Sequence, residues 1–431
     1  MGRKKLVKTL NVYMNGVKVG DLRKDTGGQA SFQYAPDWLP TSFSISNSLP
    51  VREQEFRGEV VSRYFDNLLP DNEDIKKAMA TKFGAESTRP FDILGVVGKD
   101  CVGALSFLPE GAPPPPEWEL TATRLTEKKI AKKIRGLSGA APLGMEDGEF
   151  RLSIAGAQEK TALLLLDGKW HEPLGMTPTT HILKTPIGAL GEEVSFADSV
   201  DNEWASLFLC RKFGLNTCNS RIETFEDQRV LVVERFDRRW VTQKGEKVLL
   251  RLPQEDMCQA LGVSPYKKYQ NEGGPGCVAI SNFLLGSKNG DDRLAFFRGL
   301  MVFDLLYATD GHAKNFSVFL TRSGFELTPF YDVMGGYFLH AREKRALQKM
   351  KLAMSVGDSG HYYFSKVRHR HYAEAAKKCT IGKEDFEMLC ADLKSRVDNL
   401  VIADKELDAD LDLDTLEIIL AGIQKRVKLI L

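Results

Sequence analysis

Residues 310 to 332 constrain this chain more than any other stretch. Asp310-Gly311-His312-Ala313-Lys314-Asn315 sets an amide five positions after a carboxylate, and Tyr331-Asp332 adds a second carboxylate just past a hairpin. The hairpin is read from Ser317–Leu320 and Phe325–Leu327 around Gly324. This order and spacing match a phosphoryl-transfer site, in which the first Asp orients or deprotonates a hydroxyl nucleophile. The Asn amide oxygen and the second carboxylate are hard oxygen donors suited to Mg²⁺. The alternative is an N-capping Asp with two solvated polar side chains.

The rest of the chain must then supply a cleft. At 431 residues it has the length for two or three domains or one large two-lobed fold, and 43% hydrophobic residues allow a substantial core. The net charge of +1 gives no global case for nucleic acid or an acidic membrane surface. Seven scattered cysteines, an odd number without a C-x-x-C, argue against a disulfide framework and a zinc site. No apolar stretch approaches the ~18 residues of a membrane span. The basic start Met1 to Lys5 is not followed by a signal-peptide apolar region. The expectation is a soluble cytoplasmic protein with no membrane partner.

Asn15-Gly16 between alternating segments predicts a type I′ hairpin. Asn72 to Phe83 reads as a helix stopped by Gly84. A Pro-rich run from Pro109 to Pro116 predicts a stiff linker. Strand-like runs follow at Thr161–Leu166, His181–Lys184 and Val230–Glu234, interrupted by a helix over Glu203–Phe213 closed by Gly214. After Pro253 the pattern is helical, over Arg293–Ala308, Ala373–Lys378 and Thr415–Leu431. The expected division is a β-rich subdomain over 1–110, a linker and connecting segment over 111–150, a nucleotide-binding part over 151–250, and a helical lobe over 251–431.

Lys184, ending an apolar strand, can project into a cleft and neutralise phosphate charge if a carboxylate holds it. Glu203 is the candidate partner; the alternative is a strand-end Lys beside a helix-start Glu favoured by the dipole. The small residues Ala155, Gly156 and Ala157, before Gln158, Glu159 and Lys160, let backbone N–H groups approach phosphates, or form an ordinary turn. Glu234, Arg235 and Phe236 leave a strand where an adenine can meet backbone groups, or end a plain edge strand. Asp237 to Trp240 reads equally as a surface ion cluster. His312 is assigned a hydrogen-bonding role in the catalytic loop rather than a metal-ligating one. Lys366, Arg368, Arg370, Lys377 and Lys378 form the most basic stretch, either a phosphate-contacting patch or a solvated face.

Together these segments resemble the HipA family of serine/threonine kinase toxins. The resemblance is carried by 310–315, by Pro329 to Asp332, by Ser153 to Lys160, by Val233 to Trp240 and by Arg251 to Asp256. The Asn15-Gly16 hairpin, Phe65 to Asp71 and Ser199 to Glu203 extend it from about residue 10 to about residue 400. It implies an α+β, two-lobed protein-kinase-like fold: a mixed N-terminal lobe with an extra N-terminal subdomain, and an all-helical C-terminal lobe.

It also implies the site. Asp310 matches the catalytic Asp, Asn315 and Asp332 the Mg²⁺ ligands, and Lys184 the ATP-phosphate Lys with Glu203 as partner. Ala155 to Lys160 match the phosphate loop, and Glu234 to Phe236 the adenine hinge. His312, Lys314 and Tyr331 join the nucleotide-binding set, and Ser153 matches the autophosphorylated serine. The implied partners are a HipB-like helix-turn-helix antitoxin dimer, operator DNA bound through it, and an aminoacyl-tRNA synthetase as substrate, best known as glutamyl-tRNA synthetase. The competing readings are a kinase-like small-molecule phosphotransferase and a catalytically idle co-repressor.

Overall fold

The computed structural model describes residues 8–113, 120–138, 158–187, 198–243, 245–337 and 349–431. Ser153, Ala155, Gly156 and Ala157 lie outside them.

The chain opens with the predicted hairpin, strands Lys8–Met14 and Val17–Lys24. Asn15 and Gly16 take φ of 46° and 85°, the left-handed pair that a type I′ turn requires. These strands join a five-stranded antiparallel sheet with Ala30–Tyr34, Phe56–Arg57 and Leu105–Pro109. Helices Glu59–Asp66, Glu73–Phe83 and Pro90–Val97 share its core, built on Val12, Leu22, Phe32, Phe65, Leu69, Ile93 and Phe107. Asn72 caps the second helix, its side chain accepting from Asp74 N at 2.8 Å and Ile75 N at 3.2 Å, and Gly84 at φ 70° ends it.

The second sheet is antiparallel and six-stranded, in the order Ser220–Phe225, Gln228–Glu234, His181–Lys184, Lys160–Leu166, Lys169–Pro173, Ala122–Arg124. One correction follows. The segment expected as linker over 111–150 contributes a strand to this sheet, and its helix Glu127–Arg135 buries Ile130, Ala131 and Ile134 against Leu163, Val230 and Val232. The amphipathic spacing Ile130, Ile134, Leu137 within so lysine-rich a segment was the missed signal.

The C-terminal lobe is mainly helical: Cys277–Leu284, Asp292–Leu305, His369–Lys378, Lys383–Asp398 and Leu413–Ile430. It is not all-helical. A three-stranded sheet of Gln254–Asp256, Ser317–Thr321 and Gly324–Leu327 holds the predicted hairpin, and Lys351–Val356 pairs with His361–Tyr363. The largest core joins this lobe to the helix Ser199–Lys212, so that helix belongs to both halves of the molecule.

The terminal helix is fixed by a buried ion pair. Arg426 donates to Asp304 Oδ1 at 2.6 Å and Oδ2 at 2.9 Å, and Tyr372 O–H donates to Oδ2 at 2.8 Å. All seven cysteines are free and buried. Among the described residues no helix is long and apolar enough to cross a membrane.

Candidate active site

The site is built where the second sheet, the helix Ser199–Lys212 and the 310–332 segment meet. Lys184 Nζ lies 2.6 Å from Glu203 Oε1 and 2.6 Å from Asp332 Oδ1. Glu203 is buried, whereas the Asp332 side chain is 42% exposed. The helix starts at Ser199, earlier than expected, which puts Glu203 a full turn inside it. A dipole-favoured residue at the helix start is therefore not what Glu203 is; it anchors the lysine. Burial pushes the Lys184 ammonium down, but the two carboxylates outweigh it and hold its pKa above the ordinary value. Lys184 in turn holds the Asp332 carboxyl far below the usual range.

Asp332 sits at φ 57°, a left-handed backbone that a non-glycine residue holds only when its surroundings over-determine it. The same helix supplies that determination. Asn202 accepts from Gly335 N at 2.7 Å and donates to Gly335 O at 2.8 Å, and Ser206 Oγ accepts from Gly335 N at 3.0 Å. A Cβ at Gly335 would come within 3.2 Å of Leu306 O, so the turn is closely packed at this glycine. Sequence reasoning gave neither Asn202 nor Ser206 a role, although Asn202 lay within a matched motif.

On the other wall Asp310 is exposed, its carboxylate receiving the Tyr269 hydroxyl on Oδ1. Asn315 Nδ2 donates to Asp310 O at 2.6 Å, which fixes the amide orientation and leaves its oxygen free to accept or coordinate. His312 is buried, with Nε2 3.6 Å from Asp310 Oδ1, and burial lowers its pKa. Its Nδ1 has no hydrogen-bond partner among the described residues. Lys314 turns the other way, to Asp256 Oδ2 at 3.0 Å and Asn67 Oδ1 at 3.0 Å, and so moors the loop to the N-terminal subdomain. Tyr331 donates to Lys314 O at 2.8 Å, and its ring lies 5.4 Å from that of Phe236.

The end of the expected phosphate loop is fastened beside Lys184. Gln158 Nε2 donates to Thr185 O at 2.7 Å, and Glu159 O accepts from Thr185 N at 3.1 Å. Lys160 stands directly opposite Lys184 in the strand register. Burial and then Lys184 lower its pKa to about 8.

At the strand exit, Glu234 N donates to Asn219 O and Arg235 N to Thr180 O, both at 2.9 Å. Of the three expected hinge residues, only Phe236 has an N–H without a hydrogen bond among the described residues. The Arg235 side chain is buried on Asp237, at 2.9 and 2.7 Å. The neighbouring Asp237 and Arg238 are not a surface cluster. They are buried with Asp100, Arg251 and Arg235, and Arg238 and Arg251 reach Asp100 Oδ1 at 3.3 and 3.1 Å. This network joins the first sheet's subdomain to the second sheet; Asp100 and Arg251 were invisible as partners because 151 positions separate them. The basic stretch is partly neutralised, with Lys378 Nζ 3.1 Å from Asp358.

The Asp332 carboxylate and the Asn315 amide oxygen are hard oxygen donors that fit Mg²⁺, and the held Lys184 ammonium fits the anionic oxygens of a polyphosphate. Comparison with known proteins then decides the family. A family model described as the HipA-like C-terminal domain matches residues 152–401, more than half the chain. The chain belongs to the HipA family. A second model, the HipA N-terminal domain, matches residues 10–108. The serine/threonine-protein kinase toxin HipA of Shewanella oneidensis is 30% identical over 365 residues, 81% of this chain and 79% of that one. A Sinorhizobium fredii protein named "Putative kinase Y4mE" is 33% identical over 336 residues, 76% of this chain and 77% of that one. A solved structure of HipA from Shewanella oneidensis MR-1, with HipB and operator DNA, superposes with a TM-score of 0.75 at 24% identity, covering 98% of each chain. The fold is therefore the two-lobed HipA fold, and the protein is a serine/threonine-protein kinase of the HipA toxin family.

Proposed function

We propose that this kinase uses ATP and Mg²⁺ at the Lys184–Asp332–Asp310 cleft to phosphorylate a serine or threonine on another protein. The observation that carries the reading is the Glu203–Lys184–Asp332 ion triad, in which Glu203 and Lys184 are buried and Asp332 is half-exposed. Lys184 neutralises phosphate charge, and the buried Glu203 keeps its ammonium in place. Asn315 and Asp332 would hold Mg²⁺, which when bound would supply charge neutralisation on the transferring phosphoryl oxygens. Asp310 orients the acceptor hydroxyl and takes its proton. Phe236 N–H serves the adenine, and Gln158, Glu159 and Lys160 end the loop that lines the phosphates, together with Ala155, Gly156 and Ala157. His312, Lys314 and Tyr331 shape the catalytic loop.

The relatives support a toxin role. The Shewanella structure, which contains HipB and operator DNA, supports a helix-turn-helix antitoxin as partner. Operator binding through that antitoxin, with co-repression of the operon, belongs to the same proposal. In it, Lys366, Arg368, Arg370, Lys377 and Lys378 supply backbone-contacting charge. The protein substrate is assigned to the aminoacyl-tRNA synthetases, glutamyl-tRNA synthetase first, and the protein acts in the cytoplasm. Ser153 is the self-inactivating site: phosphate there adds ~1.5 to 2 negative charges two residues before the loop assigned to the ATP phosphates in the sequence.

Incubation of the purified protein with labelled Mg-ATP and a cell extract tests these assignments together. Mass spectrometry should find phosphate on Ser153 and on one synthetase, and the Ser153-phosphorylated protein should bind ATP more weakly. Undiminished ATP affinity with Ser153 phosphorylated contradicts the off-switch.

A further inference from the structure

We propose that Tyr269 is a positioning residue of this kinase: its hydroxyl anchors one oxygen of Asp310 so that the other faces the acceptor. The proposal rests on the reading of Asp310 as the carboxylate that receives the substrate hydroxyl. Tyr269 O–H donates to Asp310 Oδ1, and the Tyr269 ring lies edge-on to His312, with centroids 4.9 Å apart at 84°. His312 Nε2 approaches the same oxygen at 3.6 Å. Asp310 Oδ2 has no hydrogen bond among the described residues, and the side chain is 57% exposed. One oxygen held and one presented is what an oriented base needs, because a freely rotating carboxylate spends its time in unproductive rotamers. Burial and then the Asp310 charge push the Tyr269 phenol up, so it stays protonated and remains a donor.

Tyr269 is itself placed by a loop fixed on three sides. Lys268 Nζ lies 2.7 Å from Asp71 Oδ2 in the N-terminal subdomain, and Lys268 O accepts from Ala313 N at 3.2 Å in the catalytic loop. Gln270 exchanges hydrogen bonds with Ser355, Nε2 to Oγ at 3.0 Å and Oε1 from N at 2.8 Å. The loop closes on itself through Gly274 N to Tyr269 O at 3.0 Å. A phenol carried by so pinned a backbone has little freedom to leave Asp310. This also ties the catalytic carboxylate to the N-terminal subdomain through two consecutive residues, Lys268 and Tyr269.

The test is steady-state phosphorylation of dephosphorylated casein by the full chain carrying Tyr269→Phe, Tyr269→Ala, Asp310→Asn, or Asp310→Asn with Tyr269→Phe. Tyr269→Phe keeps the ring on His312 and removes only the donor. Its kcat should fall on the order of tenfold to a hundredfold, the scale of one hydrogen bond to a charged group. KM for casein and for ATP should stay within about twofold and the melting temperature should not move. Tyr269→Ala should lose at least as much in kcat, and Tyr269→Phe should cost nothing further on an Asp310→Asn background. Wild-type kcat in Tyr269→Phe would leave the ring a packing element only and overturn the proposal. A change confined to KM for casein would overturn it too, since the phenol would then compete with the acceptor instead of orienting its base. An active Asp310→Asn would instead remove the underlying reading of Asp310, whatever Tyr269 does.

Discussion

At the residue scale, Lys160 and Lys184 divide one task. Both project from facing strand positions, but Lys184 has two carboxylates and Lys160 has no ion-pair partner among the described residues. The unpartnered charge is a standing cost that a bound polyphosphate would offset. Lys160 has a folded pKa of about 8 against 10.5 for the free side chain, so the unfolded chain binds more protons between those values. Stability of the ligand-free protein should therefore rise as pH goes from 8 towards 10.5, and the penalty should be fully present below 8. Lys160→Met should melt higher than wild type at pH 7, show a flatter profile above pH 8, and bind ATP more weakly; calorimetry and nucleotide titration check this. Lys184→Ala should shift stability the other way. It leaves Glu203 buried without its cation, so ATP affinity and turnover should both fall and the melting temperature should drop. The Lys184–Glu203 pair was legible from a strand-end lysine followed by a helix, and Asp310, Asn315 and Asp332 stood out as candidates because they sit in short motifs at fixed spacing. Tyr269, Asn202, Ser206 and Asp256 were not, because each acts on a partner far along the chain that only folding brings near.

At the element scale, the helix Ser199–Lys212 and the strand Gln254–Asp256 fix the cleft from behind. The helix carries Asn202, Glu203 and Ser206 on consecutive or one-turn-spaced positions, which is why a single element holds both Lys184 and the Asp332 turn. The strand does the same for the catalytic loop. Asp256 takes Lys314, and Glu255 accepts from Ser46 Oγ at 2.5 Å, Asn47 N at 2.9 Å and Asn47 Nδ2 at 2.7 Å. Burial raises Glu255 to about 7 against 4.5 unfolded, so the native state binds more protons between these values. Its contribution is present below pH 4.5 and is lost as pH rises through 7. Glu255→Gln should remove that dependence, giving a urea midpoint that gains on wild type between pH 5 and pH 8. An equal loss for both proteins over that range would contradict the assignment. The element order was readable from hairpin, cap and periodicity signals. The strand and helix within 120–138 were not, because a short lysine-rich segment carries too few apolar positions to stand out.

At the scale of the whole molecule, the three parts are welded by charge as well as by apolar burial. Asp100, Arg251, Arg238 and Asp237 join the two N-terminal sheets, Lys314 joins the catalytic loop to Asn67, and Arg426 closes the terminal helix onto Asp304. Apart from Asp237 and Arg238, these partners lie far apart in sequence, so the two-lobed plan was legible from motif order while its fastenings were not. A rigid frame of this kind suits phosphoryl transfer, where catalysis is almost wholly positioning and charge stabilisation. The central claim is that Asp310 receives the acceptor hydroxyl at this cleft. Its most direct test is transfer of labelled phosphate from Mg-ATP by purified wild type and Asp310→Asn at matched concentration. Circular dichroism and nucleotide binding serve as controls for an intact fold. The account predicts loss of transfer by at least about a thousandfold in a variant that still folds and binds ATP. Near-normal transfer by that folded variant would contradict it.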